Sequence, residues 1–425
     1  MSCSKLILDF AEKVRPILIK VIPAKLLSAM KAKVIDSGAK DLSDIEFVPF
    51  DRKRFPDGVN LIGDIRADTG LGQSMRYVSG ILDASGTDNI VYNYYVPPGV
   101  SMTDTSCDGK IADEIRYNVN IFHINANELP VGFMNLGREM WDNHYNIGHW
   151  VWELEEFPEE WLPSFNLVDE IWTPTDFVRK TLQKYTDKPV YTLPFPVKAE
   201  TDASMDRAYF GLPENKFLFM MMFDVGSGMA RKNPHAVIES FKKAFDKNND
   251  DVALVIKLTK SDKSAKDIEY IRGLLDGYDN IVFICENLSR VEVNSLIACT
   301  DVYVSLHRAE GFGLVMAEAM MVGTPVIETN WSGNTEFMNK DSACMVDYRL
   351  VELEKNAPPF KKGYHWAEAD TDQAAGYMKR LVEDKEYYDI MKNNALEYVH
   401  KQLNMERSAG IVRDRLSAIY ENHKG

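Results

Sequence analysis

Two carboxylates in the 425-residue sequence bracket a glycine-bearing turn: Glu310, on the loop after a predicted strand, and Glu318, one to two turns into the helix that follows, at the two ends of EGFGLVMAE. Between them Gly311, Phe312, Gly313 and Leu314 lead into a helical pattern. The two glycines free backbone N–H groups at the helix start, where the dipole favours an anion. Cations stand near two earlier strand ends. Arg231 and Lys232 follow the strand KFLFMMMFD, and Lys257 lies near the end of VALVIKLTK. In a chain with 49 Lys and Arg against 64 Asp and Glu, such a cluster is a local exception, and a diphosphate is the ligand it suits.

Other residues carry a choice between chemistry and packing. The turn GDIRADTGLGQSM offers Gly70 and Gly72 for close backbone approach to a ligand, but Met75 stands where a dinucleotide fingerprint needs its third glycine. His123, in FHINANELP, is either a core histidine or a group presented to a substrate, and His149 in NIGHWVW is a lesser candidate of the same kind. Five of the seven tryptophans fall within 141–172, interleaved with glutamates. Core packing explains them; the alternative is a sugar-binding platform in which Trp150 and Trp152 stack on rings while Glu153 binds hydroxyls. The pair Asp370 and Asp372 precedes the helical pattern AAGYMKRLVED and reads as a helix N-cap, so no metal site is assigned to it.

These residues need a scaffold of alternating strands and helices. Apolar runs predict strands at Val59–Ile65, Ile90–Val96, Val119–Asn125, Asn146–Trp152 and Glu170–Thr173, with helices at Leu71–Leu82 and Phe177–Tyr185. A second series predicts strands at Lys216–Phe223, Val252–Leu258, Ile281–Cys285, Val302–Leu306 and Pro325–Glu328. Helical periodicity fills Asn233–Asp246, Asp267–Leu275, Val291–Cys299 and Leu314–Val322. The fold class is therefore α/β: two doubly wound, Rossmann-like domains facing across a cleft. The proline-bearing YTLPFPV (191–197) separates them, giving domains 1–195 and 196–404, with 405–425 expected to pack back on the first.

Composition narrows the class. Hydrophobic content of 45% and charged content of 27% exclude a disordered or fibrous chain. A formal net charge of −15 disfavours nucleic acid as a partner. Five scattered cysteines without a CxxC pair predict neither a disulfide framework nor a zinc site, and fit the cytoplasm. No apolar run is long enough to span a bilayer. Residues 1–34 differ: seven basic residues against Asp9 and Glu12, with apolar positions at helical spacing. This basic extension, drawn over 1–45, is either a helix packed on the domain or a peripheral contact with an anionic membrane surface.

The stretch SLHRAEGFGLVMAEAMMVGTPVIETNWSGNTEF resembles the family 4 retaining glycosyltransferases of the GT-B fold, whose signature is Glu, seven residues, Glu. NIGHWVWELEEFPEEW, VDEIWTPTDFVRKTL and MARKNPHAVIESFKKAF look like bacterial surface-polysaccharide members. The resemblance implies that Glu310 contacts donor-sugar hydroxyls and that Glu318 holds the nucleotide ribose. It implies a diphosphate held by Gly70, Gly72, Arg231, Lys257 and the Gly311–Phe312–Gly313 backbone, and it points to His123 as a donor-sugar neighbour. The implied donor is a UDP-sugar or GDP-sugar used without metal or other cofactor, and the implied acceptor a glycan or lipid-linked glycan. The family often separates its Arg and Lys by several residues; here Arg231 and Lys232 are adjacent. A nucleotide-sugar 2-epimerase, or an inactive nucleotide-sugar-binding subunit, is the alternative on a similar scaffold.

Overall fold

The computed structural model describes residue 42 and residues 45–94, 101–224, 228–259 and 265–423. The basic segment 1–34, with its expected membrane contact, lies outside the described residues. The chain divides into two compact units. One takes the described residues up to Val151, then Phe157–Phe195, then the chain from Met405 onward; the other takes Trp152–Glu156 and Pro196–Asn404.

The first unit is built on a six-stranded parallel sheet of order β2-β1-β3-β4-β5-β6. Its strands are β1 (Val59–Gly63), β2 (Asn89–Asn93), β3 (Val119–His123), β4 (Tyr145–His149), β5 (Glu170–Thr173) and β6 (Val190–Thr192). β1 is an interior strand: Leu61 lies level with Val91 on one side and Ile121 on the other. Every residue of β1 and β3 is buried, as strands covered on both faces require. Helices α1 (Gly70–Ala84), α2 (Leu129–Leu136) and α3 (Asp176–Gln183) belong to this unit. Strands β1, β3 and β4 stop two or three residues before their apolar runs do. The remaining residues turn out of the sheet and form the loops at its carboxyl edge.

The second unit repeats the design with order β12-β11-β10-β7-β8-β9. The strands are β7 (Phe217–Asp224), β8 (Val252–Thr259), β9 (Ile281–Ile284), β10 (Val302–Ser305), β11 (Val326–Thr329) and β12 (Cys344–Val346). Between them run α4 (Met229–Lys232), α5 (Pro234–Ala244), α6 (Ala265–Leu274), α7 (Arg290–Ala298) and α8 (Leu314–Met321). An antiparallel hairpin, β13 (Tyr348–Glu352) with β14 (His365–Ala369), follows β12 and is not visible in the sequence pattern. Helices α9 (Thr371–Glu383) and α10 (Lys385–Gln402) complete this unit. Asp370 caps α9 by accepting from the N–H groups of Asp372 and Gln373, both at 3.0 Å, as the sequence reading held.

The last helix, α11 (Met405–Asn422), buries Ala409, Val412, Leu416 and Ile419 within the first unit. Its Arg415 forks onto the buried Glu170 of β5 at 2.6 and 3.2 Å. Its Tyr420 hydroxyl accepts from the Gly58 N–H at 3.1 Å.

Candidate active site in the second unit

Adjacent cations reach one carboxylate. Arg231 and Lys232 form the last turn of the short α4, after which Asn233 turns left-handed (φ 52°, ψ 50°) and Pro234 opens α5. The Asn233 side-chain amide donates to the Leu306 carbonyl at 3.0 Å, tying this corner to the end of β10. The sequence reading ran a helix from Asn233 with both cations just outside it; instead they occupy their own turn. From it the Lys232 ammonium and the Arg231 guanidinium, the latter at 3.1 Å, both pair with Oε1 of Glu310. Burial opposes charge on Glu310, but Lys232, then Arg231 and His307, hold its carboxyl down to about 2. It is an anion at any working pH.

The Glu310 backbone is held as firmly as its side chain. Its N–H donates to the Ser332 hydroxyl at 3.0 Å, and its carbonyl accepts from the Gly333 N–H at 2.9 Å. Ser332 adopts φ 76°, ψ −151°, a region that costs a non-glycine residue energy and persists only where the surroundings impose it. A Cβ on Gly333 would collide with the Gly311 carbonyl and the Phe312 nitrogen, so glycine is required where the two loops touch. Gly313 (φ 95°) then opens α8, Phe312 packs on Phe337 at 5.0 Å, and Leu314 is half-buried as the first helical residue.

One turn further on, Glu318 is fully buried on α8. Arg290, at the start of α7, pairs with its Oε1, while Oε2 has no hydrogen-bond partner among the described residues. Burial raises this carboxyl to about 7 against the pull of Arg290. A third acid, Glu328 on β11, is also fully buried, with no hydrogen-bond partner at either oxygen among the described residues. Burial pushes it well above the usual carboxylate range, and Glu310 adds to the shift.

The hairpin supports both ends of this cluster. Arg308 pairs with Glu368 at 2.6 and 2.9 Å, and its carbonyl accepts from the Ala367 N–H at 2.9 Å, so β14 holds the loop that carries Glu310. His365 bonds Glu156 at 2.7 Å, holding the short segment that carries Glu153. Glu153 is half-buried and electrostatically coupled to Arg231, Glu310 and Lys232; burial raises its carboxyl, opposed first by Arg231. Lys257 lies elsewhere. It is buried on β8, two strands from β10, and donates to the Leu258 carbonyl at 3.1 Å, with Cys285 and Glu286 as its titratable neighbours. Burial lowers this lysine.

In the first unit the glycine turn and the histidines come together. Thr69 caps α1 by accepting from the Gly72 N–H at 3.1 Å; a Cβ on Gly72 would strike the Ala67 carbonyl, whereas Gly70 faces open space. Ser74 of α1 bonds His123 Nε2 at 3.0 Å, and His123 stacks on His149 with ring centres 4.6 Å apart. Burial lowers His123 to about 4 and His149 well below its ordinary value, so both rings are neutral. Trp150 and Trp152 are 1% and 2% exposed. The core explanation describes them, and neither presents a face on which a sugar ring could stack. Sequence reasoning passed over Arg290, Arg308, Ser332, Glu328 and Glu368. WSGN offered a signal, since a non-glycine residue beside Gly333 takes the strained turn, but charges that act through tertiary pairing leave no spacing to read.

The comparisons fall on this geometry. Residues 206–398 match the family model for Glycosyl transferases group 1. That stretch contains Arg231, Lys232, Lys257, Glu310 and Glu318. A Bacillus subtilis (strain 168) protein, YtcC, whose name assigns it provisionally to the glycosyltransferases, is 23% identical over 237 residues, 55% of this chain and 51% of its own. The chain thus spans about half the length of the curated relative it matches. Among solved structures, HepE of Anabaena, crystallised with UDP and glucose, aligns with TM-score 0.62 at 11% identity, covering 85% of this chain and all of that one. Sucrose-phosphate synthase of Thermosynechococcus elongatus aligns with TM-score 0.61 at 14% identity, covering 86% and 100%. These two structures show the fold: two parallel-sheet Rossmann-like α/β domains, as in structures of the GT-B fold.

Proposed function

We propose that the protein is a retaining glycosyltransferase that moves a hexose from a nucleoside diphosphate sugar to a glycan or lipid-linked glycan in surface polysaccharide synthesis. The observation that carries the reading is Glu310, an ionised, buried carboxylate between Arg231 and Lys232, one loop before the glycine-led start of α8. Such a carboxylate accepts hydrogen bonds from sugar hydroxyls, while the two cations and the Gly311–Gly313 amides are suited to a diphosphate. Chemistry then needs charge stabilisation on the leaving diphosphate as the bond from its oxygen to the sugar C1 breaks. The acceptor oxygen bonds C1 on the same face and gives its proton to the departing phosphate oxygen. Arg231 and Lys232 supply the stabilising charge, so the proposal calls for no metal. Lys257, beside the Glu286–Ser289 loop, is assigned to the nucleotide rather than to the sugar, and acceptor binding is assigned to the first unit with His123. Residues 1–34 would hold the enzyme to the cytoplasmic face of the membrane.

HepE was solved with UDP and with UDP-glucose, which makes uridine the first base to test. Thermal unfolding in EDTA should shift upward with UDP or GDP and the corresponding sugar conjugates, and not with NAD. A shift with NAD alone would transfer the protein to nicotinamide chemistry. Binding of a nucleotide sugar without transfer to any glycan acceptor would favour a binding subunit.

A further inference from the structure

Glu318 is an unusual residue to find fully buried in the apolar helix LVMAEAMM. One oxygen is covered by the Arg290 guanidinium; the other is buried and has no hydrogen-bond partner among the described residues. Arg290 comes from a different element, as the first residue of α7. Its backbone is fixed by a capping box in which Ser289 accepts from Glu292 N–H at 3.3 Å and donates its own N–H to Glu292 at 2.7 Å. Its side chain is 40% exposed, so the guanidinium reaches inward from the surface onto a carboxylate that water does not touch. A buried ion pair of this kind adds little to folding stability, because desolvation offsets the attraction. Its cost is explained if a ligand uses the charge.

We propose that Arg290 is a positioning residue for the nucleoside: it is the counter-ion that keeps the buried Glu318 carboxylate available to accept the ribose hydroxyls. This rests on the reading that Glu318 is the ribose acceptor. Charge-assisted hydrogen bonds to a vicinal diol need the anion, and without a cation beside it a buried carboxyl takes up a proton instead. The surroundings offer no substitute. On β10, Tyr303 is a buried phenol whose own ionisation is opposed first by burial and then by Glu328, Glu310 and Glu318. On β11 the buried acid Glu328 has no hydrogen-bond partner at either oxygen among the described residues. On the α10 side, Lys392 approaches Gly323 at the far end of α8. Arg290 is the cation acting on Glu318 among the described residues.

The experiment measures affinity for UDP and 2′-deoxy-UDP by calorimetry between pH 6 and pH 9 in wild type, Arg290→Gln, Arg290→Lys and Glu318→Gln, with GDP and its deoxy analogue if guanosine proves to be the base. Arg290→Gln should bind UDP about tenfold more weakly at pH 7 and recover as the pH rises, while Arg290→Lys stays close to wild type. The penalty should shrink with the 2′-deoxy nucleotide, which keeps only one of the two hydroxyls, and a general loss of structure would not distinguish the two nucleotides. An Arg290→Gln penalty that is independent of pH and equal for both nucleotides overturns the proposal, as does unchanged or tighter binding of UDP. If Glu318→Gln binds UDP like wild type, the ribose assignment itself has failed, separately from the role of Arg290.

Discussion

At the residue scale the two signature carboxylates, alike in sequence, are opposite in chemistry. Glu310 sits against two cations and is held down to about 2; Glu318 has one half-exposed arginine and is raised to about 7. A glutamate eight positions from another carries no sign of this, because the partners come from α4 and α7. The two groups therefore contribute oppositely to stability. Glu310, depressed in the folded state, stabilises the fold above its ordinary value near 4.5, and that contribution is lost as the pH falls toward 2. Glu318, raised in the folded state, binds a proton between 4.5 and 7 that the unfolded chain has released, so stability falls as the pH rises through that interval. Glu318→Gln should remove about 2–3 kcal/mol of this decline, measured by urea unfolding at about pH 5 and pH 8 against wild type. An unchanged pH slope would show that Glu318 is not the group responsible. On the proposed reading, Glu310→Gln removes hydrogen bonds to the sugar and spares the nucleoside, so it should lower transfer by about 100-fold while leaving nucleotide affinity within a few-fold. Equal losses of turnover and of UDP affinity would place Glu310 on the nucleotide instead.

At the scale of elements, the part that places Glu310 is the contact between its loop and the WSGN turn after β11. Gly333→Ala puts a methyl group onto the Gly311 carbonyl, and both partners are backbone, so neither can swing aside. Expected results are a stability loss of about 1–3 kcal/mol and weakened binding of nucleotide sugar, read by denaturant titration and by calorimetry on the same preparation. Full binding by a folded Gly333→Ala variant would mean that the GFG backbone does not need this support. The Rossmann strands were legible because burial on both faces makes them continuous apolar runs. Glycine and capping positions were legible because they punctuate those runs: Asp370 was read as a cap and acts as one. The hairpin was hidden for the converse reason. In β13 Tyr348, Arg349 and Leu350 are exposed, so YRLVE has no apolar face to betray it, and its importance lies in charge pairs such as Arg308 with Glu368. β6 was hidden by brevity, three residues directly ahead of the prolines taken for a linker.

At the scale of the whole molecule, the chain passes briefly through the second unit at Trp152–Glu156, re-enters it at Pro196 and returns to the first at Met405, so the first unit is assembled from residues far apart in sequence. Its closing element is α11, and the polar lock is Arg415, which supplies both hydrogen bonds of a fork to the fully buried Glu170. The tryptophans report on this. Trp141, Trp150, Trp161 and Trp172 lie in the first unit, while Trp152, Trp331 and Trp366 lie in the second. Arg415→Ala leaves a buried carboxylate without its cation and should cost about 3 kcal/mol, because breaking one side of such a pair exposes the full desolvation penalty of the other. In thermal unfolding followed by tryptophan fluorescence, that loss should lower the transition of the first unit by about 6–10 °C. A nucleoside diphosphate should raise the transition of the second unit, where Glu310 and Glu318 reside, and leave the lowered one in place. One transition that moves with both the substitution and the nucleotide would show instead that the units unfold as a single body, and that Arg415 stabilises the second unit as much as it does the sheet to which α11 returns.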